Sequence, residues 1–263
     1  MTYIIGNAVH DENGKATGGQ AGDQLQKDVD DWEGEVKLQM FYKSSKGWNI
    51  LRLKSAKYAK KIAKLMRKAC NNANIGYSQD DRYGVIKNGV KSKIPINCDC
   101  SSLVRECLQE ATGIEIPDFN TTVEVSVLER TGLFQPMIEY TDDTTLYTGD
   151  ILVTKTKGHT AIMVEGMPRT NPYKEPTLCV TSKAIIKANH YAPADYLYSG
   201  DGVCWVQYEL CRVGFQQKID SAGGIDGICG DETVRCIESF QRSQGLEVDG
   251  ICGKNTRKAL KKA

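Results

Sequence analysis

A cysteine at the predicted start of a helix has the residue type and surroundings needed for nucleophilic catalysis. Cys100 follows Asp99 and precedes Ser101 and Ser102, and an amphipathic pattern begins at this point. A helix N-terminus carries a partial positive charge and free N–H groups, so it favours a thiolate over a thiol. The same N–H groups can hold the oxyanion that forms when a nucleophile adds to a carbonyl. Cys100 is therefore the predicted nucleophile.

A nucleophilic cysteine needs a base, and His159 is the predicted one. It follows Gly158 and opens the apolar segment 160–164, a predicted strand, 59 residues after Cys100. Imidazole changes its charge near neutral pH and can take the thiol proton. A helix-start cysteine facing a strand-borne histidine is the papain-like arrangement for acyl transfer.

The motifs around these two residues are more specific than either residue alone. They resemble those of NlpC-type cell-wall cysteine peptidases and of the related cysteine- and histidine-dependent amidohydrolases of phage lysins: Asp-Cys-Ser-Ser-Leu-Val (99–104), Gly-Asp-Ile-Leu (149–152) and Gly-His-Thr-Ala-Ile-Met-Val (158–164). The resemblance implies that Cys100 is the nucleophile and His159 the general base. The chain has Ser102 where the NlpC-type pattern usually has glycine.

The third residue of the predicted triad is left with two candidates. NlpC-type enzymes usually take a His, Asn or Gln from the strand after the histidine strand, but this chain continues there with Gly166-Met167-Pro168. Asn7 follows a short apolar strand, and we expect it to orient His159 if that N-terminal strand replaces the missing one by permutation. His190 is the less favoured alternative.

Five further residues are predicted to line the substrate site. The resemblance implies that Tyr77 lies near the catalytic sulfur, although a buried aromatic with a bonded hydroxyl is an equal alternative. Asp99 and Ser101 flank the nucleophile. Asp23 and Gln24 end a glycine-rich segment, and they are either substrate-groove residues or ordinary turn residues.

The elements that must position these residues mix strands and helices. Alternating apolar residues at 36–42 predict a half-buried strand, and Ser55 caps a helix whose apolar face runs to Cys70. A second helix is predicted from Ser101 to about Ala111. The fold class is α+β, and the resemblance implies a papain-like catalytic domain over residues 1–168, with an antiparallel sheet packed on the cysteine helix. Residues 169–202 lose periodicity and predict a linker.

The last sixty residues contain an internal repeat. Ile-Asp-Gly-Ile-Cys-Gly-Asp (225–231) recurs as Val-Asp-Gly-Ile-Cys-Gly-Lys (248–254), and a predicted helix follows each copy. A third helix is predicted around 204–210. The pattern resembles the three-helix peptidoglycan-binding module of cell-wall hydrolases and assigns residues 203–263 to a small all-α domain. We interpret the aspartates of the repeat as turn residues rather than ligand contacts.

Composition excludes several classes of function. The chain of 263 residues carries 34 Lys and Arg against 33 Asp and Glu, a net charge of +1, which argues against a nucleic-acid partner. No apolar run approaches the ~20 residues needed to cross a membrane. The N-terminus lacks the basic and apolar regions of a signal peptide, so we expect none.

No metal or other cofactor is expected. The ten cysteines include no C-x2-C pair, and the three histidines are scattered. Most of the cysteines, Cys98 and Cys107 among them, are interpreted as core residues in a reducing compartment. Neither Asp30-Asp31 nor the turn at Asp11 matches a calcium loop.

The two resemblances together predict a phage-type endolysin that cuts an amide bond of bacterial peptidoglycan. Such an enzyme stays in the host cytoplasm until a holin opens the membrane and then acts on the cell wall. Both N-acetylmuramoyl-L-alanine amidase and endopeptidase activities remain open. The alternatives are a catalytically silent wall-binding or virion protein, and an interbacterial effector amidase or another papain-like amide hydrolase.

Overall fold

The computed structural model describes residues 3–26, 32–156 and 158–263, and it divides the chain into two units. The N-terminal unit holds the described residues up to Tyr140 together with Leu146–Gly166. The C-terminal unit holds Thr141–Thr145 and Met167–Ala263. Asp30 and Asp31 lie outside the described residues.

An antiparallel sheet is the centre of the N-terminal unit. The strands of the N-terminal unit are, in chain order, β1 (Ile4–Ala8), β2 (Val36–Met40), β3 (Trp48–Leu51), β4 (Ile75–Tyr77), β5 (Ile96–Cys98), β6 (Ile138–Glu139), β7 (Ile151–Thr154) and β8 (Thr160–Glu165). Strands β4 and β5 form a separate parallel pair, and the other six form the sheet. The sheet order is β2-β1-β8-β7-β3-β6. The N-terminal strand β1 therefore pairs with β8, the strand that follows His159.

Both faces of this sheet are buried, and alternation along the strands divides the residues between them. On β8, Ile162 and Val164 join the core beneath the helices, whereas Ala161 and Met163 join a second cluster with Trp48. Side chains two apart on a strand share a face, so His159 lies on the side of Ala161.

The helices of the N-terminal unit are α1 (Ala56–Cys70), α2 (Gly84–Asn88), α3 (Cys100–Thr112) and α4 (Glu124–Arg130). Ser55 caps α1, and the buried residues of α1 recur at helical spacing, as the sequence predicts. A methyl group at Gly6 would lie 2.4 Å from Met66 of α1, so only glycine permits this approach of helix and strand.

The C-terminal unit is mostly helical. Its elements are β9 (Cys179–Val180), α5 (Lys183–Ala188), a 3₁₀ turn (Pro193–Asp195), β10 (Tyr196–Leu197), α6 (Asp201–Leu210), a π-helical turn (Cys211–Phe215), α7 (Gln216–Ser221), α8 (Asp231–Ser243) and α9 (Lys254–Leu260). Helix α7, which the sequence pattern did not predict, follows a kink at Gly214, whose φ is 106°.

The two copies of the repeat are held by the same hydrogen-bond network. Gln207 donates to Asp226 Oδ1 at 2.8 Å and accepts from the Gly227 amide at 2.9 Å. Gln241 donates to Asp249 Oδ1 at 2.7 Å and accepts from the Gly250 amide at 3.1 Å. Each aspartate also accepts from the amide two residues later. Both aspartates therefore hold their turns, in line with their interpretation as turn residues.

The structure differs from the sequence prediction at the segment 169–202, for which we expected a linker. This segment carries β9, α5 and β10, and it is hydrogen-bonded to both repeats. Val180 and Cys252 exchange backbone hydrogen bonds at 2.8 and 3.2 Å, and the Cys229 amide donates to the Tyr198 carbonyl at 2.9 Å. These bonds satisfy backbone groups that a linker would leave to water. The segment belongs to the C-terminal unit.

Candidate active site

Cys100 is the first residue of α3 and is buried, with 7% of its surface exposed. A capping box fixes this helix start: Asp99 Oδ1 accepts from the Ser102 amide at 2.6 Å, and Ser102 Oγ accepts from the Asp99 amide at 2.9 Å. Ser102, which stands where the NlpC-type pattern usually has glycine, therefore holds the turn that carries Cys100. The backbone N–H of Thr160 lies close enough to the Cys100 sulfur to act on its pKa in the lowering direction, which places the sulfur beside the start of β8.

The structure brings Asn7 and His159 together. His159 Nε2 lies 2.7 Å from Asn7 Oδ1, although the residues are 152 apart in sequence. Asn7 lies on β1 and is 1% exposed, and the pairing of β1 with β8 carries it to the histidine. The sequence argument expected this placement if the N-terminal strand replaced the missing one.

The surroundings of Asn7 determine which nitrogen of His159 carries the proton. The amide group of Asn7 donates to the Lys37 carbonyl at 3.1 Å, and its Oδ1 also accepts from Gln39 at 3.0 Å. Oδ1 is thus the atom that faces the histidine, and an amide oxygen only accepts. His159 Nε2 therefore donates, and Nδ1 is left unprotonated.

Burial shifts both partners toward their uncharged forms. It raises the pKa of Cys100 to about 12, helped by the carboxyl groups of Asp99 and Glu124. It lowers the pKa of His159 to about 4. The sequence argument expected the helix N-terminus to favour the thiolate, but that effect is worth at most about 2 kcal/mol, and burial outweighs it here.

Two residues of this site were missed in the sequence. Glu124, the first residue of α4, is fully buried; its Oε1 accepts from Thr160 Oγ1 at 2.7 Å, and burial raises its pKa to about 8. Trp48 is fully buried, and its ring lies 6.4 Å from the His159 ring. The sequence around Glu124 is that of any exposed helix start, so it could not have indicated that Glu124 is buried. Trp48 stands at an apolar strand position, which could have indicated its burial.

Tyr77, Asp99 and Ser101 lie near Cys100. Tyr77 is buried, its hydroxyl accepts from Gln79 at 3.0 Å, and burial together with the neighbouring Cys100 raises its pKa. Asp99 caps α3 and forms an ion pair with Arg82 at 3.0 Å. Ser101 Oγ lies 4.0 Å from the Cys100 sulfur. The bonds of Asp99 are structural, and Ser101 and Tyr77 adjoin the sulfur.

Asp23 and Gln24 make local contacts. Asp23 Oδ1 accepts from the amides of Leu25 and Gln26 at 2.9 and 3.0 Å. The Gln24 side chain donates to the Gly22 carbonyl at 3.2 Å. These bonds correspond to the turn role that the sequence left open beside the substrate role. Buried Glu35 ties this loop to β4, because it accepts from the amides of Gln24 and Tyr77.

The other candidates are not placed with the cysteine and histidine. His190 belongs to the C-terminal unit, where it is exposed beyond the end of α5. His10 Nδ1 lies 2.8 Å from the Asp11 carbonyl. Cys98 and Cys107 are in the core, as expected.

Neither a metal-binding cluster nor a membrane-spanning helix is present among the described residues. Within 3–26, 32–156 and 158–263, no group of three His, Cys, Asp or Glu side chains is arranged to hold a metal ion. In the same part of the chain, no helix is long and apolar enough to cross a membrane.

Comparison with curated proteins found two partial relatives. A "Probable N-acetylmuramoyl-L-alanine amidase" of Bacillus licheniformis is 42% identical over 65 residues, which is 25% of this chain and 18% of that protein. The "N-acetylmuramoyl-L-alanine amidase CwlM" of Mycobacterium tuberculosis is 34% identical over 87 residues, 30% of this chain and 20% of that protein. The chain therefore spans about a fifth of the length of these relatives. No solved structure matches it significantly.

Two family models match, one for each part of the chain. Residues 199–260 match the "Putative peptidoglycan binding domain", which covers the repeat. Residues 5–169 match the "Endolysin-like domain", which covers Asn7, Cys100 and His159. Because the match to the endolysin-like model spans more than half of the chain, the chain belongs to the endolysin-like domain family.

Proposed function

We propose that this protein is an endolysin-type peptidoglycan hydrolase that cuts an amide bond with a Cys100–His159–Asn7 triad on a papain-like domain. The observation that carries the proposal is the 2.7 Å contact between His159 Nε2 and Asn7 Oδ1, beside a cysteine at a helix start. That contact fixes the histidine with its other nitrogen free to act as a base. The family models supply the wall context.

The chemistry follows from the protonation states of the pair. Because Cys100 and His159 are both uncharged near neutral pH, the thiol proton moves to His159 Nδ1 as the sulfur attacks the carbonyl carbon. The N–H groups of Cys100 and Ser101 at the start of α3 have no helical partner and are available to the oxyanion, whereas the Ser102 amide is already bonded to Asp99. When the C–N bond breaks, the proton passes from His159 to the leaving amine, and a thioester remains on Cys100.

Water completes the cycle. His159 takes a proton from the water that attacks the thioester and returns it to the Cys100 sulfur as the acid product leaves. Asn7 accepts from His159 Nε2–H, so it keeps the histidine aligned through both steps and stabilises its charged form.

The names of the two curated relatives favour the bond between muramic acid and L-alanine as the one that is cut.

The test compares wild type with Cys100→Ala on purified Gram-positive peptidoglycan, with turbidity and product mass spectrometry as readouts. Cys107→Ala is the matched control, because it removes a buried thiol from the same helix away from the site. We expect wild type and Cys107→Ala to release muropeptides and Cys100→Ala to release none. Product masses distinguish amidase from endopeptidase.

Two results contradict the proposal. If Cys100→Ala keeps wild-type activity, the cysteine is not the nucleophile. If no variant cleaves any wall chemotype although all of them bind it, the protein is the silent wall-binding alternative.

A further inference from the structure

A groove beside the second repeat contains side chains that the fold does not use. Its volume is 620 Å³, within the ~300–1,000 Å³ of sites that take small molecules. Tyr191 and Tyr196 form one wall, with their rings stacked at 5.0 Å and 12° between the planes. Glu247, Lys254 and Asn255 are exposed in the same groove.

Hydrogen bonds hold the strand that carries Tyr196 in place. The Thr181 amide donates to the Leu197 carbonyl at 3.0 Å, and Thr181 Oγ1 donates to the Gly250 carbonyl at 2.9 Å. The segment that carries the tyrosines is thereby fixed to the turn of the second repeat. Rigid aromatic rings bind a ligand with little loss of side-chain entropy.

The first repeat supplies an internal comparison. Its corresponding groove is smaller, 380 Å³, and its tyrosine, Tyr198, is covered by Lys183 Nζ at 4.5 Å from the ring centroid. A ring face that carries a cation is not open to a ligand. No cation lies over Tyr191 or Tyr196 among the described residues. The two copies of one motif therefore differ in the access that they give to aromatic surface.

The groove chemistry matches an N-acetylated sugar. The C–H face of a pyranose ring is apolar and packs on an aromatic ring, while its hydroxyl and amide groups need donors and acceptors at the edge. Tyr191 presents that ring with 38% of its surface exposed. The Asn255 amide both donates and accepts, Lys254 donates and Glu247 accepts.

We propose that this groove binds the glycan strand of peptidoglycan, with Tyr191 and Tyr196 as the stacking surface and Lys254, Asn255 and Glu247 as polar contacts. The proposal rests on the proposed function for its choice of ligand, and it adds a subsite to it. Both tyrosines lie before the residues that match the binding-domain model, which begins at residue 199. The segment expected to be a linker thus becomes part of the wall-binding surface.

The experiment uses the full chain in a Cys100→Ala background, so that the wall is not degraded during the measurement. Calorimetric titration with peptide-free strands of alternating N-acetylglucosamine and N-acetylmuramic acid measures binding, and the free stem peptide is the second probe. We expect the glycan strands to bind saturably and Tyr191→Ala to weaken them by about tenfold or more. Lys254→Ala is expected to weaken them less.

Two variants control for structure. Tyr198→Ala removes the tyrosine beside the first repeat and should leave glycan affinity unchanged. Tyr191→Phe keeps the stacked ring and should bind within about twofold of the parent. Thermal unfolding of each variant shows whether the C-terminal unit remains folded. The inference is overturned if Tyr191→Ala binds glycan like the parent, if Tyr198→Ala weakens it equally, or if only the stem peptide binds.

Failure of the subsite and failure of the enzyme are distinguishable. Cleavage of a short soluble muropeptide by wild type beside Cys100→Ala reports the catalytic reaction, whereas calorimetric titration with glycan strands reports the subsite. If the chain binds glycan through Tyr191 but cleaves nothing, the subsite stands and the proposed hydrolase fails. If it cleaves muropeptides but Tyr191→Ala binds strands normally, the hydrolase stands and the subsite fails.

Discussion

Replacing Asn7 with alanine tests the triad at the residue that the local sequence indicates least. Asn7→Ala removes the oxygen that accepts from His159 Nε2 at 2.7 Å, and it frees the imidazole to rotate or to change tautomer. The strand that carries it stays paired with β2 and β8 through its backbone. We therefore expect a loss of activity with the sheet intact.

The size of the effect follows from the charge on the imidazole. Hydrogen bonds to uncharged groups contribute about 1 kcal/mol, and those to charged groups about 1.5–3 kcal/mol. His159 is uncharged at rest, because burial holds its pKa at about 4, and it is charged only while it carries the thiol proton. Only the difference between these two values, about 0.5–2 kcal/mol, lowers the barrier. At 1.36 kcal/mol per factor of ten, Asn7→Ala should lower kcat by about 2- to 30-fold and change KM little.

The assay is initial-rate release of soluble muropeptide, with thermal unfolding of each variant as the folding check. Asn7→Asp should retain more activity than Asn7→Ala, because its carboxylate also accepts from Nε2–H. Gln39→Ala, which removes only a neighbouring donor at 3.0 Å, is the matched control. If Asn7→Ala keeps the wild-type kcat, Asn7 does not orient His159 and the triad is wrong.

Two other substitutions test the site and the repeat. Above a pH of about 8, Glu124 ionises beside Cys100 and opposes development of the thiolate, so wild-type activity should fall there and Glu124→Gln should keep it. A pH–rate profile of the two proteins decides this, and identical alkaline limbs would contradict it. Gln241→Leu removes the donor to Asp249 Oδ1 and leaves the buried Gly250 amide without its acceptor, so it should cost about 2–4 kcal/mol in the free energy of unfolding. Urea titration measures it, and an unchanged midpoint would show that the network contributes nothing.

Chemistry that depends on local sequence could be predicted before the structure. Cys100 stands at a helix start because Asp99 is a good N-cap and apolar residues follow at helical spacing. The repeat was visible because each Asp-Gly turn needs its own residues at fixed positions. The α+β class followed from alternating and helical patterns in the same half of the chain, and the antiparallel sheet was implied by the resemblance to the NlpC-type peptidases.

Only the tertiary structure decided which distant residues meet and how strongly they are buried. Asn7 reaches His159 because β1 lies next to β8, and strand neighbours are chosen by packing of the whole sheet rather than by either strand's pattern. The pKa values of Cys100 and Glu124 depend on burial, which outweighs the helix N-terminus. The tyrosine-bearing segment 179–197 had no periodicity to predict its place, because its order comes from bonds to the repeats rather than from its own pattern.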